Sequence, residues 1–150
     1  MLKKIILAFL IFILSCGVLS VSASANSEYV PYNAVLWVDN QQVTTDIGYL
    51  TQNGYMLVPA QVIELMGVTF SWEPDEWKIR LTKDERKLTM YIANYQCANG
   101  VKIEKMPAQP TLFKETVMVP VRYVAEAFGA VVLWNGKTNS VIVSTTGEIP

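Results

Sequence analysis

The stretch Glu73-Pro74-Asp75-Glu76 gathers three carboxylates within four residues. Carboxylates so placed are suited to holding a hard cation such as Ca2+ or to working as an acid/base pair. An all-protein Ca2+ site draws about 6–8 oxygens from a patterned loop, and this stretch falls short of that pattern. The expectation is a solvated turn. Arg122 and Glu126 lie four residues apart and can pair along one helix face, an interaction worth only about 0.3–0.5 kcal/mol. Arg122 is therefore expected to pin the start of its helix to a neighbouring strand or loop, with ligand binding as the alternative. Histidine is absent from all 150 residues, which removes both the commonest general base and the commonest transition-metal ligand. No nucleophile elbow, metal-ligand cluster or phosphate loop takes its place. No catalytic residue, metal site or cofactor is expected.

Aromatic side chains are the other chemically expressive set. Trp72 and Trp134 stand at equivalent places in two similar passages, Tyr55–Trp72 and Val117–Trp134, and are expected in the core. Trp77 differs, because its counterpart is Asn139, a turn residue. Tyr29, Tyr32, Trp37, Tyr49, Tyr55, Tyr91 and Tyr95 complete the set. Exposed aromatics suit glycan or protein surfaces, since they offer a large apolar area with a polar handle. The candidate binding residues are accordingly Trp77, Tyr91, Tyr95 and Arg122.

The elements that must position these residues follow from an internal duplication. Pro59 matches Pro120 at an offset of 61, whereas Gly67 matches Gly129 and Trp72 matches Trp134 at an offset of 62. The first helix is thus one residue shorter. Val121, Val124, Ala125 and Phe128 fall at i, i+3, i+4 and i+7, one apolar helical stripe. Pro120 suits the first helical position and Gly129 the position just past the end. Pro59, Val62, Leu65, Met66 and Gly67 repeat this logic. After each glycine the period changes to two, and turns are marked by Glu73–Glu76 and by Asn135-Gly136. Cys97 lies in a β-rich run before Asn99-Gly100 and is expected to be a partly or wholly buried free thiol. The fold class is α+β: a mainly antiparallel sheet wrapped around short helices, in two pseudo-repeated hairpin-strand-helix-hairpin units that share one core.

These passages also carry a resemblance. Tyr55–Trp72 and Val117–Val143 resemble the copper amine oxidase N-terminal-like domain, or stalk domain, of secreted and surface proteins of Gram-positive bacteria. The likeness spans residues 34–145. The Val-Pro-Val-Arg of residues 119–122 follows the family pattern, whereas Gln61 stands where arginine is usual in the first copy. The resemblance implies an antiparallel sheet around a helix, used as an extracellular accessory module. It does not imply oxidase activity, which belongs to a separate catalytic domain.

Lys3 and Lys4, the apolar run Ile5–Leu14 and Ala23-Ser24-Ala25 have the grammar of a secretory signal peptide. The run is shorter than the about 20 residues of a membrane span. Cleavage after Ala25 is expected, leaving an N-terminal extension over 26–33, the domain over 34–145 and a tail over 146–150. A lipidated Cys16 is the rival N-terminus. Losing Lys3 and Lys4 takes the 12 basic residues to 10 against 13 acidic ones, a net charge of −3. No basic stripe is present, so nucleic acid is not an expected partner. The reading is a secreted, non-catalytic binding or scaffold module at the cell envelope, with a protein or a cell-wall polymer as partner. The alternative is a glycan or small-molecule binder using an aromatic groove.

Overall fold

The computed structural model describes residues 29–148; the expected signal peptide, its cleavage site and Cys16 lie outside them. The domain is α+β, mostly antiparallel sheet with two short helices. In chain order the strands are β1 (Val30–Tyr32), β2 (Val35–Val38), β3 (Gln41–Val43), β4 (Tyr49–Gln52) and β5 (Tyr55–Pro59). A 3-10 helix, Ala60–Met66, leads to β6 (Thr69–Glu73), β7 (Lys78–Lys83), β8 (Arg86–Tyr91), β9 (Gln96–Asn99) and β10 (Lys102–Lys105). Then come β11 (Thr111–Phe113), β12 (Thr116–Pro120), helix α1 (Val121–Ala127), β13 (Val131–Asn135) and β14 (Ser140–Ser144).

Three sheets result, ordered β1-β4-β5-β12-β11, β10-β9-β8-β7-β6 and β13-β14-β2-β3. The two Val-Pro strands meet at the centre of the first sheet, where Val58 faces Val119, Leu57 faces Pro120 and Met118 faces Pro59. Both strands read as near-continuous apolar runs because both of their faces are covered. Met56, Val58, Val117 and Val119 enter the main core, whereas Leu57 and Met118 join a smaller cluster with Leu50 and Ala108 on the opposite side. The main core also takes Val62, Ile63 and Met66 from the 3-10 helix and Val121, Val124, Ala125 and Phe128 from the second helical segment. The residues set apart as an N-terminal extension contribute β1, which pairs with β4.

Each proline closes its strand and sits just before its helix, one position earlier than expected. The fixed proline φ of about −65° suits both states. At the end of α1, the Gly129 N–H donates to Glu126 O at 2.9 Å and the Ala130 N–H to Ala125 O at 2.9 Å. This is the paired closure that a left-handed residue permits, and Gly129 has φ +87°. Gly67 has φ +72°, and the ammonium of Lys83 caps Met66 O at 2.8 Å.

The first helical segment corrects the expected stripe. It is a 3-10 helix, and Leu65 is 55% exposed while Ile63 is fully buried. With about 3.0 residues per turn, Ala60, Ile63 and Met66 align inward and Leu65 rotates out. A 3-10 helix rises about 2.0 Å per residue against 1.5 Å in an α-helix, so the seven residues between Pro59 and Gly67 cover a span similar to the eight between Pro120 and Gly129.

Candidate functional site

The carboxylate stretch turns the chain between β6 and β7, with Pro74–Glu76 as a 3-10 turn. Strand register sets Glu73 opposite Lys78, and Lys78 is only 6% exposed. Its ammonium lies 2.7 Å from Glu73 Oε2 and pairs also with Glu76, while Arg80 Nη1 lies 2.6 Å from Glu73 Oε1. The turn Pro74–Glu76 is solvated as expected, and Glu73 and Glu76 in addition clasp a buried lysine, whose charge needs partners away from water. The hydrogen bond from Lys78, helped by Arg80, holds the Glu73 carboxyl below its usual range. The same bonds to Glu73 and Glu76 raise Lys78. Both shifts lead away from neutrality, the reverse of what an acid/base pair needs. Among the described residues, no group of three or more Cys, Asp or Glu side chains is gathered to hold a metal ion.

Trp77 closes that turn in the left-handed region, φ +53° and ψ +33°. Its N–H donates to Pro74 O at 3.1 Å and its carbonyl accepts from the Ile92 N–H at 2.9 Å. The side chain is 55% exposed, and Tyr91, opposite Lys78 on the next strand, is 41% exposed. Tyr95 lies at the same end of that sheet, but it is half-buried and engaged. Its hydroxyl accepts from Asn53 Nδ2 at 3.3 Å, and the Lys105 ammonium lies 5.9 Å from its ring centroid. Tyr95 therefore ties the β9–β10 hairpin to the β4–β5 turn. Tyr49 is buried and donates its hydroxyl to Val43 O at 2.6 Å, which removes it from the exposed candidates.

Arg122 lies apart from these three. Its Nη1 donates to Val132 O at 3.3 Å and sits 3.6 Å from Glu126 Oε1, so it joins the start of α1 to β13. It also lines a groove of about 440 Å3 together with Tyr32, Tyr55 and Trp134, over a floor that includes Met56, Val121 and Val141. Tyr32 and Trp134 stack there, with ring centroids 6.2 Å apart and planes at 28°. This corrects the placing of Trp134 in the core: it is 45% exposed, whereas Trp72 packs against the core as expected. Alternation along a strand says which face a side chain takes, not how far other elements cover it. Tyr32 covers Trp134 only in part.

One polar cluster had no signal in the sequence. Glu104 faces Cys97 across the β9–β10 hairpin, and Tyr123 of α1 donates its hydroxyl to Glu104 Oε2 at 3.0 Å. Asn99 Nδ2 reaches the same carboxylate at 3.4 Å. Burial raises the Cys97 thiol and, with Cys97 and Glu104 nearby, the Tyr123 hydroxyl. Both groups stay protonated, which suits a clamp between helix and hairpin and does not suit a nucleophile. The β-rich run before Asn99-Gly100 was legible in the sequence; the docking of Tyr123 onto the hairpin required the tertiary fold.

The family model of the copper amine oxidase N-terminal domain matches residues 37–143. The chain belongs to this family. The domain it describes is the non-catalytic N-terminal part of copper amine oxidases. Neither the curated proteins nor the solved structures returned a match. Copper chemistry of the oxidase kind draws on imidazole ligands, and this sequence has no histidine. The donor set of the domain therefore does not fit that metal. Among the described residues no helix is long and apolar enough to cross a membrane.

Proposed function

We propose that this chain is a secreted, non-catalytic binding module of the bacterial cell envelope that holds a protein or a cell-wall polymer through exposed aromatic side chains. Trp77 carries the proposal. Left-handed backbone disfavours residues with a Cβ by roughly 1–2 kcal/mol, and asparagine is among the few that visit it routinely. At the corresponding turn between β13 and β14, Asn139 has φ +49°, close to the +53° of Trp77. Folding alone would fill position 77 with such a residue. A bulky, 55% exposed tryptophan there is explained by contact with something outside the chain.

The comparison with Asn139 rests on the further reading that the domain is a duplication sharing one core. Two features support it. The central pairing of β5 with β12 is symmetric about Val58 and Val119. The second sheet also becomes equivalent to the third once β8 is removed: β7 and β9 are both antiparallel to β8, whereas β14 and β2 pair directly in parallel.

The test is capture of isolated cell wall and of surface proteins by the purified protein and by Trp77→Asn. Relief of the backbone offsets part of the lost ring contact, so the variant should stay folded while capture falls. Equal capture by both proteins, or none by either, refutes the proposal. Secretion is read separately by N-terminal sequencing of the exported protein, where a start at Asn26 is expected and a lipidated Cys16 would overturn it.

A further inference from the structure

From the groove between β1, β5, α1 and β13 we infer a second element of this binding function: a site for an anionic saccharide, a sugar ring bearing a carboxylate or a phosphate. The inference rests on the envelope-binding reading and adds the ligand class. Four elements distant in the chain bring their side chains to one place. Tyr32 comes from the edge strand of the first sheet, Tyr55 opens β5, Arg122 is the second residue of α1, and Trp134 lies on β13 of the third sheet. The stacked Tyr32–Trp134 pair and the 37% exposed Tyr55 offer flat apolar faces to solvent. Such faces match the C–H surface of a pyranose ring and keep a polar edge for its hydroxyls.

Charge selects among sugars. Arg122 uses Nη1 for both of its contacts, to Val132 O and to Glu126, so Nη2 and Nε are not engaged by either. The side chain of Glu126 is 51% exposed, and such a pair is weak enough for a ligand anion to displace. A guanidinium fork matches carboxylate or phosphate geometry. A neutral sugar would leave it unanswered.

The two halves of the domain make the same point. β5 and β12 each run five residues to their proline. At the places of Tyr55, Arg122 and Trp134 the other half has Thr116, Gln61 and Trp72, and Trp72 is partly buried, packed against the core. Folding needs are met in both halves. The cation and the open aromatic rings belong to one.

The experiment is a titration of the purified protein, read by tryptophan fluorescence and by amide shifts, with a uronate oligosaccharide, a hexose phosphate and a neutral oligosaccharide of matched length. Binding of either anionic probe in preference to the neutral one is expected, and the two probes tell carboxylate from phosphate. Arg122→Gln, which installs the residue of the other half, should weaken the anionic probe about tenfold, and Trp134→Ala should abolish the response. Ile103→Ser, on an exposed strand elsewhere, should leave it unchanged. Thermal melts establish that each variant is folded. No binding of either anionic probe, equal binding of the neutral one, or an Arg122→Gln titration identical to wild type overturns the inference. Wall capture that depends on Trp77 while the groove is silent would sink this inference alone. Groove titration without any envelope capture would sink the envelope reading instead.

Discussion

Trp72 and Trp134 stand at equivalent places in the two passages, and replacing each by alanine should cost different amounts of stability. Covering a large aromatic fully contributes about 3 kcal/mol. Trp134 leaves 45% of its surface in solvent, so about half of that, ~1.5 kcal/mol, is at stake. Its stack on Tyr32 adds about 0.5–1.5 kcal/mol, giving about 2–3 kcal/mol for Trp134→Ala. Trp72 packs against the main core, and its removal combines lost transfer energy with a cavity, about 3–5 kcal/mol. The gap, about 1.5 kcal/mol between the centres of the two ranges, is measurable from urea midpoints at constant slope. It also matters for function, because Trp134→Ala should remain folded when its ligand binding is read. An equal or larger cost at Trp134 would refute the reasoning and return that ring to the core.

Phe128, buried at 7% exposure under the main cluster, should cost about 3–5 kcal/mol on truncation to alanine; near-neutral behaviour in the same urea assay would mean that α1 presents another face. The Glu73–Lys78 clasp should make stability pH-dependent at both extremes. The Glu73 carboxyl is lowered from its ordinary 4.5, so its contribution is present above that pH and lost as pH falls through the lower folded value. The Lys78 ammonium is raised from 10.5, so its contribution is present below that pH and lost as pH rises through the higher folded value. Lys78→Met should flatten both limbs in thermal melts across pH, and unchanged limbs would count against the clasp. Cys97, 1% exposed with a raised thiol pKa, should label slowly in the native protein and rapidly in denaturant; fast native labelling would show that the hairpin opens.

Much of the local architecture is legible without coordinates. The apolar stripe of Val121, Val124, Ala125 and Phe128 and the stop at Gly129 depend on a few neighbouring residues, so helix period and backbone sterics determine them. The turns at Glu73–Glu76 and Asn135-Gly136 are local in the same sense. The absence of histidine excludes an imidazole-based copper site from the residue list alone. What the tertiary structure decided is how far each side chain is covered, because coverage depends on whichever non-local element lies opposite. Leu65 turned outward once its segment wound as a 3-10 helix. Glu73 and Glu76 became partners of Lys78 through the β6–β7 register. Trp134, the equal of Trp72 in sequence, met the ring of Tyr32 rather than the core. The groove itself is made by residues 32, 55, 122 and 134, and no local rule spans that distance.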